Sequence, residues 1–350
     1  MAYLNFRNIK ISGIAACVPR EVESNLISPL FSSDEERQKY ISEIGVCEKR
    51  RAADGVTTAD LCEQAARELL RIGGGDINAL IFATQSPDYI LPATAPILQD
   101  KLGLSKECLT FDISIGCSGW VYGIAAASAL VSNGSIKRAL LLCGDTTTRT
   151  QSPRDKTSYP LFGDAGTATL LEYEEGAKGL CFHLASDGSG KDAIIIPSGG
   201  YRNPITAEGL EYKDYGNGKV MTDLHARLEG MDVFSFAIVE ASKSIKGLCK
   251  HFSIEMKDID CFTLHQANLM LNETIRRLLK VEKEKVPCSL ERFGNSSSAT
   301  IPVTLVTERR EQLTTQPMKH IACGFGVGLS WGSVYFETDK NIIVPELIEF

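Results

Sequence analysis

The chain has 350 residues, 43% hydrophobic and 23% charged, and its 37 basic against 44 acidic side chains leave a formal charge of −7 at neutral pH. That balance belongs to globular proteins and excludes the disordered, collagenous and membrane-span classes. It also argues against general nucleic-acid binding, which needs a massed basic surface to meet phosphates.

In chain order, the stretch from Met1 to Pro19 interleaves Arg7 and Lys10 with a short apolar run, Ile11 to Val18. It is too short and too charged for a signal segment or a membrane span, and reads as a first strand in a cytoplasmic protein. Thr58 to Leu70 repeats apolar residues at spacings of three and four behind an N-cap candidate, Thr57 or Thr58, which predicts a helix. Asp76-Ile-Asn-Ala-Leu-Ile-Phe-Ala-Thr-Gln-Ser86 opens on an acidic residue and Ile, runs through an apolar strand and leaves on polar residues. A turn, Gly116-Cys-Ser-Gly119, leads from a strand into a helix, and Ala139 to Leu142 reads as a strand buried on both faces, as in parallel βαβ units. From about Asp187 to Gly230, the glycines at 188, 190, 199 and 200 and the prolines at 197 and 204 interrupt regular structure.

The second half then echoes the first. Asp258-Ile-Asp-Cys-Phe-Thr-Leu-His-Gln-Ala-Asn268 reads like the segment from Asp76, 182 residues earlier; Phe293-Gly294-Asn295-Ser296 follows Ile115 to Ser118 by 178; Ala322-Cys323-Gly324 follows Leu142 to Gly144 by 180. Leu271, Ile275, Leu278 and Leu279 supply a helical period after the repeated strand. In each half the reading is strand, helix, a second strand ending at Gly-Cys or Gly-Asn, helix, third strand. A duplicated α/β architecture of two similar βαβ-type halves in a layered sandwich follows. Its parts are an N-terminal half over 1–186, a connecting, tunnel-lining segment over 187–230, and a C-terminal half over 231–350.

Eleven cysteines, an odd number with no Cys-x-x-Cys pair, fit reduced thiols in a cytosolic protein better than a disulfide framework. One of them stands apart. Cys117 sits at the first turn of a helix, where unpaired N–H groups and the helix dipole favour thiolate and receive negative charge; the alternative reading is a small buried hydrophobe. His265 leaves the carboxyl end of a strand, the edge where α/β sheets bind ligands, or else is an ordinary core or surface histidine. Asn295 occupies in the second half the turn that Cys117 occupies in the first, and can also cap the helix starting at Ser296. The glycine run Gly324-Phe-Gly-Val-Gly-Leu-Ser-Trp-Gly332 leads into a strand rather than a helix, so it offers backbone N–H groups to a substrate oxygen and not a dinucleotide site. Asp187-Gly-Ser-Gly-Lys-Asp192 fails as a phosphate loop because Ala185 and Asp192 stand where Gly and Ser or Thr are needed. No His-Glu-x-x-His spacing occurs, and neither metal nor cofactor is expected.

Phe111-Asp-Ile-Ser-Ile-Gly-Cys-Ser-Gly119, Phe162-Gly-Asp-Ala-Gly166, Pro197-Ser-Gly-Gly-Tyr-Arg202, His265-Gln-Ala-Asn268, Gly294-Asn-Ser-Ser-Ser-Ala299 and Gly326-Val-Gly-Leu-Ser-Trp-Gly332 together resemble β-ketoacyl-acyl-carrier-protein synthase III, of the thiolase superfamily. The resemblance runs from Ile11 to about Phe336. It implies a thiolase fold, a homodimer, a catalytic triad of Cys117, His265 and Asn295, and an oxyanion hole made by the backbone N–H groups of Cys117 and Gly328. It implies decarboxylative condensation of an acyl primer, carried on coenzyme A or on acyl carrier protein, with malonyl carrier protein; the two thioesters are substrates, not cofactors.

The same resemblance points to Gly230, Phe234 and Asn268 in the pantetheine tunnel, and to Leu91, often Phe in the family, as a loop residue that reaches across the dimer to the primer pocket. It points to a carrier-protein patch in which Arg276, Arg277 and Lys280 remain, while Met270 and Ser235 stand at positions usually basic. Lys39 and Glu43 replace the Trp and Arg that usually grip the coenzyme A nucleotide. Other readings are acyl transfer to an oxygen or nitrogen acceptor, and a non-catalytic partner subunit of a condensing heterodimer.

Overall fold

The computed structural model describes residues 2–350. Its N-terminal stretch makes two strands where the sequence reading expects one. Asn8, in the left-handed region with φ 59°, separates β1 (Ala2–Phe6) from β2 (Ile9–Val18), and the two join different sheets. The short strands β3 (Val22–Ser24) and β4 (Glu48–Arg50) pair on either side of α1 (Asp34–Ile44). Helix α2 (Thr58–Gly73) begins at Thr57 with a reciprocal cap: the Asp60 N–H donates to the Thr57 side chain while the Thr57 N–H donates to the Asp60 carboxylate.

Then come β5 (Ala79–Ala83), α3 (Thr94–Lys101), β6 (Leu109–Ile113), α4 (Gly119–Val131), β7 (Arg138–Thr146), β8 (Asp164–Tyr173) and β9 (Leu180–Ser186). Between β9 and α5 the chain holds two short 3-10 turns, Gly188–Gly190 and Glu208–Leu210, and two-residue ladders, β10 (Ile194–Ile195) with β13 (Arg227–Leu228) and β11 (Lys213–Asp214) with β12 (Val220–Met221), in keeping with its breakers. The remainder is α5 (Gly230–Phe252), β14 (Cys261–Leu264), α6 (Leu269–Leu279), α7 (Leu290–Phe293), α8 (Thr300–Glu308), α9 (Arg310–Thr315), β15 (Met318–Gly326), β16 (Ser330–Thr338) and β17 (Ile348–Glu349).

The duplication is visible in the strand order. One sheet runs β17-β2-β8-β7-β5-β6 and the other β1-β9-β16-β15-β14, so β2-β8-β7-β5 in the first matches β9-β16-β15-β14 in the second. Three expectations are corrected. The sheets are mixed rather than parallel: β5 lies parallel to β6 and β7, and β14 to β15, but β8 and β16 return antiparallel. The C-terminal half has no strand ahead of Gly294-Asn295; Pro287 cannot donate to a ladder, and the chain there forms the short helix α7. Finally, β9 falls within the expected N-terminal half, 1–186, but hydrogen-bonds to β16, so the chain changes sheets between Tyr173 and Leu180.

Five layers result. α2 and α3 cover the outer face of the six-stranded sheet, α5 and α6 that of the five-stranded sheet, and α4 and α8 lie between the two. A helix between two sheets has no water face, which is why α4 (GWVYGIAAASALV) is apolar all round. Its two aromatic polar groups are satisfied, the Trp120 indole N–H donating to Thr169 Oγ1 at 3.0 Å and the Tyr122 hydroxyl to the Ala185 carbonyl at 2.7 Å. Among the described residues no helix is long and apolar enough to cross a membrane.

Layers this close need small residues at the crossings. A Cβ on Gly166 in β8 would stand 2.4 Å from the backbone nitrogen of Cys62 in α2, and backbone cannot step aside. Gly166→Ala is therefore expected to cost about 1–3 kcal/mol or more of stability, read as a lowered urea midpoint with an unchanged slope; a midpoint within error of the parent would contradict this packing.

Candidate active site

The two middle-layer helices start at the centre of the molecule, and their leading turns touch: a Cβ on Gly119 would lie 3.0 Å from Cβ of Ser298. One turn carries Cys117 and the other Asn295. Strand β15 passes beneath the first. A Cβ on Gly324 would be 2.8 Å from Cα of Ser118, and one on Gly326 would be 2.6 Å from Cβ and 2.8 Å from Sγ of Cys117. The glycine run thus lets a strand lie against the thiol, and the Ser118 and Ser330 hydroxyls, 2.7 Å apart, fasten the turn to β16.

The environment of the sulfur works against ionisation. Burial pushes the Cys117 thiol up to about 11, the Asp145 carboxylate adds to the rise, and the Val327 backbone N–H and Ser297 hydroxyl pull it back. His265, at the exit of β14, is buried; its backbone N–H donates to the Cys323 carbonyl, its Nδ1 lies 2.7 Å from Thr300 Oγ1, and its ring meets Phe325 edge to face. Burial lowers its pKa to about 3, so the imidazole is neutral at physiological pH.

Asn295 is held on both sides. Its backbone bonds to Leu161 and Gly163, and its Oδ1 accepts the Ser297 N–H at 2.9 Å. With the oxygen so engaged, the carboxamide presents its NH₂, a donor. Capping of the following turn and donation into the site are therefore two uses of one side chain.

All three side chains line one cavity of about 900 Å³, together with Asp145, Ser297, Phe325, Gly326 and Val327. Asp145, at the end of β7, is the polar hub of its floor. Its Oδ1 accepts from Thr84 Oγ1, the Gln85 N–H and Ser86 Oγ, and its Oδ2 from the Ser298 N–H and Oγ. Burial raises its pKa against those donors.

Comparison with known proteins fits this arrangement. Residues 111–188 match the family described as 3-Oxoacyl-[acyl-carrier-protein (ACP)] synthase III, and residues 249–338 match its C terminal. A beta-ketoacyl-[acyl-carrier-protein] synthase III of Rhodopirellula baltica is 30% identical over 354 residues, covering 95% of this chain and 99% of that protein. One from Clostridioides difficile (strain 630) is 33% identical over 330 residues, covering 92% and 96%. The chain belongs to the β-ketoacyl-acyl-carrier-protein synthase III family. The crystal structure of a 3-oxoacyl-(acyl-carrier protein) synthase from Burkholderia xenovorans LB400 superimposes with a TM-score of 0.93 at 32% identity, covering 100% of this chain and 99% of that one. The layered sandwich is accordingly the thiolase-like fold.

For this synthase III chain, several residues named from the sequence converge on the cavity and others stand outside it. Gly230, Phe234 and Asn268 line it with the three central side chains, as do Glu43 and Met270; Asn268 also caps α6 by accepting the Leu271 N–H. Leu91 is 80% exposed and lies outside this chain's cavity lining, and Ser235 and Lys39 lie outside it too. Gly328 requires a correction: the backbone N–H turned to the sulfur belongs to Val327, and Gly328 is not part of the lining. The basic cluster is smaller than its composition, because Arg276 is bound to the Glu273 carboxylate and the Val281 carbonyl, leaving Arg277 and Lys280 exposed without an ion pair among the described residues. Sequence reading missed Asp145, Ser297 and Thr300. Asp145 had one signal, an acidic residue closing an otherwise apolar strand; the other two had none.

Two outcomes follow from this geometry. Alkylation of Cys117 by iodoacetamide, read peptide by peptide, should climb about tenfold per pH unit between about pH 6 and pH 9, because the thiolate fraction grows that way below a pKa near 11. A plateau near pH 7 would mean an activated thiolate instead. Gly326→Ala, which drives a methyl into Sγ at a residue with φ 159°, should slow acylation of Cys117 by about 10²-fold in an intact-mass assay.

Proposed function

We propose that this synthase III catalyses decarboxylative condensation of an acyl primer, held on Cys117, with malonyl carrier protein. The observation that carries the reading is the pairing of two neutral donors, the Asn295 NH₂ and His265, in the cavity that also holds the thiol.

In the first half-reaction Cys117 Sγ forms a bond to the primer's thioester carbon. The bond from that carbon to the primer's own carrier breaks, and the departing thiolate takes the Cys117 proton. The N–H groups of Cys117 and Val327 are suited to the transient oxyanion. In the second, the malonyl carboxylate leaves as CO₂ and its electron pair passes to the thioester oxygen, where His265 Nε2 and Asn295 Nδ2 donate. A neutral ring forms no ion pair with the carboxylate that must depart. The enolate carbon then attacks the acyl group, the bond to Sγ breaks, and the released Cys117 thiolate takes a proton from solvent.

The mouth of the cavity supports a primer delivered on a carrier protein rather than on coenzyme A. Glu43 lines it, Met270 is half exposed, and Met231 is 78% exposed, so the rim is apolar and acidic where nucleotide phosphates would need cations. Exposed Arg277 and Lys280 are left to meet an acidic carrier helix. A homodimer is supported by β6, an edge strand with exposed Leu109, and by the neighbouring exposed Tyr89, Ile90 and Leu91. Eleven free cysteines suit a reducing, cytoplasmic setting.

Cys117→Ala should take up no primer by intact mass. Asn295→Ala should still acylate while CO₂ release from malonyl carrier falls about 10²–10³-fold; an Asn295→Ala protein that cannot acylate would break this division of roles. Given a panel of acyl-coenzyme A and acyl-carrier primers, the parent protein should load from carriers, and efficient loading from acetyl-coenzyme A would reverse that assignment.

A further inference from the structure

Thr300 is the first residue of α8, 1% exposed, and its hydroxyl faces two partners at once. Oγ1 lies 2.7 Å from His265 Nδ1 and 3.0 Å from the Ser297 carbonyl oxygen. A hydroxyl has one proton and a neutral imidazole has one, so two arrangements are open. In the first, Thr300 donates to Ser297 O and accepts from Nδ1–H, which leaves His265 Nε2 as a bare lone pair. In the second, Thr300 donates to Nδ1, and the ring proton sits on Nε2 facing the cavity.

Ser297 O does not depend on the hydroxyl, since it also accepts the Thr300 backbone N–H. Transfer of the hydroxyl to Nδ1 therefore strands no buried acceptor, whereas an unmet buried acceptor would cost about 1–3 kcal/mol. The carbonyl itself lies close enough to the ring to favour its protonated form, so it pulls toward Nδ1–H, and the Thr300 hydroxyl is the group that opposes it.

We infer that Thr300 is a positioning residue that fixes the tautomer of His265, its hydroxyl proton committed to Nδ1 so that Nε2–H points at the developing enolate oxygen. This rests on the condensing reading above for its catalytic meaning, but the tautomer itself does not. No bond to substrate is made by Thr300, and no proton leaves it during turnover. Only the second half-reaction needs the Nε2 donor, so the effect is selective. Thr300→Val keeps the shape and removes the donor; Thr300→Ser keeps the donor and removes a methyl.

The test uses the full-length protein with three readouts. Acylation of Cys117 in Thr300→Val should stay within about twofold of the parent, CO₂ release from malonyl carrier should fall about 10–10²-fold, and Thr300→Ser should recover to within about threefold. Separately, nitrogen-15 NMR of ring-labelled histidine, with His265→Gln to assign the signal, should report protonated Nε2 in the parent and in Thr300→Ser, and loss of that state in Thr300→Val. An unchanged tautomer in Thr300→Val overturns the inference, as does a Thr300→Ser variant as slow as Thr300→Val, which would mark packing. A tautomer that shifts as expected in a protein that releases no CO₂ from malonyl carrier sustains the inference and overturns the condensing reading.

Discussion

The Asp145 carboxylate is the interaction on which the site depends. It is buried at the end of one central strand and draws donors from the exit of β5 on one side and from the turn after Asn295 on the other. A buried charge is tolerated only when its oxygens are satisfied, so both loops are obliged to converge on it. That convergence brings a turn from the N-terminal half and a turn from the C-terminal half to one floor. The carboxamide's turn is thereby tied to the N-terminal half, and the close approach of Gly119 to Ser298 sets the thiol's turn beside it.

The same floor sets the electrostatics. Asp145 and burial together hold Cys117 protonated, and burial alone holds His265 neutral. Among the described residues no cationic side chain shifts the sulfur. In the reaction proposed above the site works by oriented dipoles, namely the N–H of Val327, the carboxamide of Asn295 and the imidazole of His265, placed before any charge develops. Gly326 matters in that scheme because its missing side chain lets the Val327 amide stand against the sulfur.

Much of this was legible in the sequence, for identifiable reasons. The cap at Thr57 and Asp60 is local, and the residues that make it are three apart. Asn295 was readable as the counterpart of Cys117 because the chain repeats, while the grouping of both with His265 came from the family resemblance. What escaped was non-local or fine in register. Sheet membership of β9 is decided by pairing with β16, far along the chain. A glycine run does not announce which of its amides faces inward, so Gly328 was read where Val327 stands. Asp145 and Thr300 act across 153 and 35 residues of sequence, on Ser298 and His265 respectively, and no spacing rule connects such pairs.

The two ends of the chain are also exchanged. β1 joins the sheet of the C-terminal half beside β9, while β17 joins the sheet of the N-terminal half beside β2. Each half therefore borrows an outermost strand from the other, like two hands clasped by their smallest fingers. Neither half is a self-sufficient folding unit in that arrangement. A cut between the halves would leave β2 and β16 as bare sheet edges, so each sheet is closed only by chain from the other side of that cut.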